Sequence, residues 1–181
     1  MNIPRERPKR RSIRLQGYDY AEVGAYFITI CTEKRKCLFG DVIDGQIQLN
    51  NLGRVVVDAW EWLGRQYDYV ETVELVVMPN HLHGVIIIND ESTGGSRTAP
   101  TPELAVVRKP LGRLVGAFKT VSSKSINALR GSPGVQVWQR NYYEHIIRND
   151  DDMTSIRQYI IDNPAGWEKD PEYSSDRCNL R

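Results

Sequence analysis

Two apolar runs on either side of a proline constrain this chain more than any other feature. Val73-Glu74-Leu75-Val76-Val77-Met78 and Gly84-Val85-Ile86-Ile87-Ile88 both read as strands. Pro79-Asn80 between them makes a tight turn or a bulge. The second run opens with His81-Leu82-His83, two of the three histidines in 181 residues. In a strand, residues i and i+2 project from one face, so both imidazoles stand close enough to hold one metal ion. The pair alone is equally compatible with two structural or surface histidines.

The remaining elements follow from patterning. Tyr26 to Thr32 alternates and is β-rich, a first strand, and Gly40 to Leu49 gives a turn and a short strand with Ile43, Ile47 and Leu49. Asn51 is a candidate N-cap for a helix through about Gln66, with Leu52, Val55, Val56, Ala59, Trp60 and Leu63 as its buried stripe. Strands are expected at about 70–78 and 81–89, then a Gly/Ser/Thr/Pro-rich loop from Asn89 to Pro102. Pro110 opens a second helix with Leu111, Leu114, Val115, Phe118 and Val121 at core spacing. Gly131 to Gly134 turns the chain into a strand carrying Trp138, within the stretch 137–149. Asn149-Asp150-Asp151-Asp152 starts a last helix, Met153, Ile156 and Ile160 give its core face, and Pro164 and Gly166 end it. The order βαββαβ plus a terminal helix predicts an α+β fold, a ferredoxin-like antiparallel sheet with an added C-terminal helix.

Tyr159 and Asn163 lie four apart and share one face of that last helix. A phenol and an amide oxygen opposite a His-x-His strand suit a metal-assisted nucleophile site, although without the histidines a core-edge tyrosine and a helix-ending asparagine are the favoured reading. The stretch from Val137 to Asn149 mixes aromatic, basic and amide groups, as does a surface that stacks bases and pairs phosphates; an ordinary sheet strand has the same look. Net charge is only +1, yet Arg5, Arg7, Lys9, Arg10, Arg11 and Arg14 crowd the N-terminus, giving a basic arm for phosphates or a solubilising tail. Lys109, Arg113, Lys119 and Lys124 line the second helix region, where Lys119 is within reach of a phosphate or simply solvated.

The ordered set of segments resembles a known family. Tyr26-Phe27-Ile28-Thr29-Ile30, Val77-Met78-Pro79-Asn80-His81-Leu82-His83-Gly84, the stretch from Val137 to Asn149, and Tyr159-Ile160-Ile161-Asp162-Asn163-Pro164 are similar to the single-tyrosine transposases of the His-hydrophobic-His superfamily, in the branch of REP-associated tyrosine transposases. The resemblance spans roughly residues 18 to 169. It implies a basic arm over 1–17, a transposase domain over 18–169 and a tail over 170–181. It implies a single-stranded DNA endonuclease and strand-transferase that acts on DNA hairpins through a 5′-phosphotyrosine, as monomer or homodimer. By the same resemblance Tyr159 is the nucleophile, His81 and His83 are metal ligands, and Asn163 supplies a third ligand where other members often have glutamine. Tyr142 and Tyr143 are rival nucleophiles that lack a ligand on the same helical face. His145 falls in a family-typical stretch without an assignable role. Arg140 and Lys119, with the basic arm, are the expected DNA contacts.

The chemistry stands apart from the name. A phenol with a pKa near 10 is a weak nucleophile at neutral pH, and a divalent cation polarises a scissile phosphate. Mg²⁺ prefers oxygen ligands and Mn²⁺ takes imidazole more readily, so either is expected, with Mn²⁺ the tighter. Two other classes compete. A non-catalytic nucleic-acid-binding module of similar fold needs no metal pair, and a metal-dependent hydrolase forms no covalent adduct. Hydrophobic content of 40% and charged content of 26% are those of a soluble globular protein, with no secretory signal or membrane-length apolar run. Cys31, Cys37 and Cys178 are odd in number and lack metal-ligand spacing, and so read as reduced thiols of a cytoplasmic, nucleoid-associated protein.

Overall fold

The computed structural model describes residues 22–90, 108–173 and 178. Arg5, Arg7, Lys9, Arg10, Arg11 and Arg14, and most of the loop from Asn89 to Pro102, lie outside the described residues. Six strands and three α-helices follow in the order β1 (Gly24–Cys31), β2 (Gly40–Ile43), β3 (Gln46–Leu49), α1 (Asn51–Gln66), β4 (Val70–Val77), β5 (His81–Ile88), α2 (Leu111–Leu129), β6 (Tyr143–Ile147) and α3 (Asp150–Asp162). The main sheet has the order β4-β5-β1-β6, and every pairing in it is antiparallel. With β2 and β3 set aside, this is the ferredoxin-like βαββαβ arrangement plus a last helix.

Strand alternation splits the sheet into two dissimilar faces. Tyr26, Ile28 and Ile30 on β1 and Leu82, Ile86 and Ile88 on β5 join one core with Val56, Trp60 and Leu63 of α1 and Leu114 and Phe118 of α2. Each such side chain, fully buried, contributes roughly 1.5–3 kcal/mol of transfer free energy. The opposite face puts Phe27, Val76, Met78 and Val85 against Ile156 and Ile160 of α3. His81 and His83 alternate with Leu82, so they belong to this second face, as the i, i+2 spacing predicts.

Gly84 follows the histidines because α1 leaves no room there. A Cβ at this position would fall 2.6 Å from Trp60 Cζ2 and 3.1 Å from the Glu74 carbonyl oxygen. Both neighbours are held, one in the core and one in the backbone of β4, so neither can yield cheaply. Gly84→Ala is therefore expected to destabilise the fold by about 1–3 kcal/mol, read as a lower urea midpoint at an unchanged slope.

Several boundaries differ from the sequence reading. Asn50, not Asn51, caps α1: its Oδ1 accepts from the Leu52 and Gly53 amides at 2.9 and 3.0 Å. The Gly40–Leu49 segment holds two strands, turned by Asp44 (φ 51°) and Gly45 (φ 72°), both left-handed as a two-residue hairpin turn requires. The strand expected over 137–149 is reduced to Tyr143–Ile147, because Val137 and Trp138 are drawn into the helical core and only an isolated bridge joins Trp138 to Thr32. The cysteine reading is corrected too. Cys37 and Cys178 form a disulfide across 141 residues with Cα atoms 4.9 Å apart, leaving Cys31 as the free thiol. Such a separation leaves no spacing signature in a sequence. No helix among the described residues is long and apolar enough to cross a membrane.

Candidate active site

His81 is wholly buried and His83 is 3% exposed. Their Nε2 atoms stand 2.9 Å apart. Burial holds both imidazoles neutral: each has its pKa lowered to about 3, with Arg35 adding to the effect at His81 and the neighbouring His81 adding to it at His83.

The far side of each ring is occupied. Asn80 Nδ2 donates to the Glu172 carbonyl at 2.7 Å and, at 3.4 Å, to that of Arg35. The amide oxygen of Asn80 therefore faces His81, and His81 Nδ1–H donates to it at 2.8 Å. That bond fixes the tautomer and leaves a lone pair on His81 Nε2. His83 Nδ1 lies 2.8 Å from Thr29 Oγ1, its register partner on β1. A hydroxyl serves as donor or acceptor. Where Thr29 accepts, both Nε2 lone pairs aim at one point, the arrangement a cation selects.

Helix α3 brings the other groups. Asn149 caps it by accepting from the Asp152 amide at 2.8 Å, and Asp150, Asp151 and Asp152 complement the dipole of its first turn. Two polar contacts flank its apolar face: Arg157 Nε to Glu74 Oε1 at 2.6 Å, and His145 Nε2 to Asp152 Oδ2 at 2.9 Å. His145 thus ties β6 to the start of α3 and stays apart from the His81–His83 pair. The hydrogen bond from His145 holds the Asp152 carboxyl below its usual pKa.

So placed, Tyr159 puts its hydroxyl 3.3 Å from His83 Nε2. Its ring meets Phe27 and His83 edge-on, with centroids 5.9 and 5.1 Å away. The side chain is 45% exposed and borders a cleft of about 230 Å³ lined also by Asp162, Asn163, Lys169 and Asp170. Partial burial, then the carboxylates of Asp170 and Glu172, raise the phenol pKa, while the Asn163 side chain opposes them. Asn163 is buried, and its Oδ1 has no hydrogen-bond partner among the described residues. Its Nδ2 donates to Asp170 Oδ2 at 3.2 Å.

Asp170 was missed by sequence reasoning. Its carboxylate lies 4.0 Å from His81 Nε2, and its side chain is almost wholly buried. His81, His83 and Asp170 together form a group that could hold a metal ion, their ligand atoms within 4.8 Å of one another. Two imidazoles and a carboxylate fit Mn²⁺ or Mg²⁺.

The expected DNA contacts fare differently. Lys119 Nζ donates to the carbonyls of Gln139, Arg140 and Asn141 at 2.9, 3.3 and 3.1 Å, and burial lowers its pKa to about 8. Its three donors are engaged in holding the segment before β6. Arg140 is exposed. Of the rival tyrosines, Tyr142 packs against the helical core, whereas Tyr143 is exposed and contacts Phe27 edge-on at 6.4 Å.

No protein-family model matches the chain. An uncharacterized protein of Haemophilus influenzae is 42% identical over 170 residues, covering 91% of this chain and 93% of that protein. A second protein of that organism, provisionally named a REP-associated tyrosine transposase, is 26% identical over 150 residues, 81% of this chain and 73% of its own. The chain is thus similar in sequence to a protein provisionally named a REP-associated tyrosine transposase. Among solved structures, that of a REP-associated tyrosine transposase bound to a REP hairpin shares the fold, with a TM-score of 0.54 and 19% identity over 87% of this chain and 74% of that one. Helix α3, which carries Tyr159, packs on its own chain's sheet.

Proposed function

We propose that this protein is a divalent-metal-dependent single-stranded DNA endonuclease and strand-transferase that works through Tyr159. What supports the reading is one juxtaposition: an accessible phenol 3.3 Å from a buried, neutral His-x-His pair whose Nε2 atoms converge. His81 Nε2, His83 Nε2, the Asn163 amide oxygen and the Asp170 carboxylate would hold the ion. Bound there, Mn²⁺ or Mg²⁺ supplies Lewis-acid polarisation of the scissile phosphate.

The chain's own groups do the rest. Asn80 keeps the His81 Nε2 lone pair aimed inward, and Thr29, accepting from His83 Nδ1–H, would do the same for His83. Phe27 and Ile160 fix the helix face from which Tyr159 projects. Tyr159 Oη forms a bond to phosphorus, the bond from phosphorus to the 3′ oxygen breaks, the phenol proton passes to water, and the departing 3′ oxygen gains a proton. The 5′-phosphotyrosine keeps the phosphodiester energy, so an incoming 3′-hydroxyl reverses the step and joins new strands. A water nucleophile would waste that energy, which is why a tyrosine suits transposition.

The solved relative is bound to a REP hairpin. By extension a single-stranded DNA hairpin is the substrate here, acted on in the cytoplasm at the nucleoid. Arg140 and the N-terminal basic arm, with its six cationic side chains from Arg5 to Arg14, are the proposed phosphate contacts. Lys119 acts at one remove, by holding the backbone that carries Arg140.

Labelled hairpins from the sequence flanking the gene, offered with Mn²⁺ or with EDTA and resolved on denaturing gels, test the reading. Cleavage with Mn²⁺ and none with EDTA is expected. Binding that EDTA leaves unchanged, with no cleavage of any flanking hairpin, would instead mark a non-catalytic binding module.

A further inference from the structure

The residues just past α3 take part in the His81–His83 site in a way the helix and strand motifs do not contain. Asp170 closes over the pair and Glu172 is held from three sides. Its backbone carbonyl accepts from Asn80 Nδ2 at 2.7 Å, its carboxylate pairs with Arg35 Nε at 2.5 Å, and Cys31 Sγ donates to the same carboxylate at 3.4 Å. Asp170 Oδ1 in turn accepts from the Glu172 amide at 2.6 Å, so the carboxylate's orientation depends on where Glu172 sits. Among the described residues, no lysine or arginine pairs with Asp170. A buried carboxylate without a cationic partner is costly unless something positive sits beside it, and its Oδ2 faces the Asn163 amide at 3.2 Å and His81 Nε2 at 4.0 Å.

Resting on the metal-centre reading above, we infer that residues 170–173 form a strap that completes the metal site. Asp170 supplies its anionic ligand, and Asn80 is the positioning residue that sets the strap and His81 together. One amide does both jobs. Its oxygen fixes the His81 tautomer, and its nitrogen holds the strap through Glu172. Arg35 is the second anchor. It sits in a short turn over Glu33–Arg35 where Lys34 (φ 56°) and Arg35 (φ 54°) are both left-handed. Such a conformation is unfavourable for non-glycine residues and persists only where surrounding contacts enforce it. The Glu172 pair and the Asn80 bond to the Arg35 carbonyl are such contacts.

The inference makes metal binding and strap docking reciprocal, since a ligand that binds only the docked form must favour docking. The test uses the full chain, with Mn²⁺ affinity from the free-ion EPR signal and hydrogen exchange of the 170–173 segment by mass spectrometry. In the wild type, Mn²⁺ is expected to slow exchange in that segment. Asp170→Asn, nearly isosteric, is expected to weaken Mn²⁺ binding about tenfold or more and to abolish the slowing. Asn80→Ala and the surface variant Arg35→Ala are expected to speed exchange of the strap and to weaken Mn²⁺ by roughly 10–100-fold. A merely structural Asp170 would leave Mn²⁺ affinity unchanged. That result, with His81→Ala still abolishing binding, would overturn the strap while leaving the metal centre intact. No Mn²⁺ uptake by the wild type would remove the metal centre and the strap with it.

Discussion

The Tyr159→Phe protein is expected to bind hairpin DNA as the wild type does and to cleave none of it. The substitution deletes one oxygen from a ring that is 45% exposed, and the bond it loses, to His83 Nε2 at 3.3 Å, is long. Stability should change by no more than about 1 kcal/mol. Phe27 and His83 still pack against the ring, so the helix face stays in place. The chemical step, in contrast, loses its nucleophile, and single-turnover cleavage should fall by roughly 10³-fold or more. Residual turnover without a covalent product would point to an activated water and a hydrolase. Tyr143→Phe separates the rivals. Tyr143 is on the same sheet face and exposed, but it sits on β6, whereas the Tyr159 hydroxyl is hydrogen-bonded to His83 Nε2. That variant should cleave normally.

Mn²⁺ should raise the melting temperature of the wild type and leave that of His81→Ala unmoved. At a metal concentration about a hundred times Kd, binding to the folded state alone adds about 2.7 kcal/mol. For a chain of 181 residues that corresponds to roughly 5–10 °C. His81 carries one of the two converging Nε2 atoms, so its loss leaves no imidazole pair. The variant also frees Asn80 Oδ1 and opens a buried void, and its melting temperature without metal should drop by several degrees for that separate reason. The metal-dependent increment distinguishes the two effects. An equal increment in both proteins would place the Mn²⁺ elsewhere. Cleavage activity should follow the increment and vanish in the variant.

Much of the frame was legible because period and position carry it. The i, i+2 spacing put His81 and His83 on one face of their strand, and the structure sets them opposite Leu82, which joins Tyr26 and Ile28 in the helical core. The four-residue step from Tyr159 to Asn163 was equally readable, since both lie on α3 or at its end. What escaped was long-range. Asp170 follows the helix in an irregular stretch with no period to read, and only the fold carries it to His81. Asn80 reads as a turn residue after Pro79, and nothing local reveals that its amide bridges His81 and Glu172. Thr29 had a faint signal: once β1 and β5 are paired in register it faces His83. Lys119 looked like one cation on a basic helix face. Its three carbonyl partners come from the segment before β6, which sequence patterning had taken for strand. The disulfide between Cys37 and Cys178 is of the same kind, a contact across 141 residues with no spacing to announce it.

The most direct test of the central claim is the mass of the peptide that carries the DNA. Wild-type protein is incubated with a flanking hairpin and Mn²⁺, denatured, digested with nuclease and protease, and analysed by tandem mass spectrometry. The account predicts a phosphonucleotide on Tyr159, absent with EDTA and absent in Tyr159→Phe. An adduct on Tyr142 or Tyr143, or cleavage with no adduct at all, would contradict it.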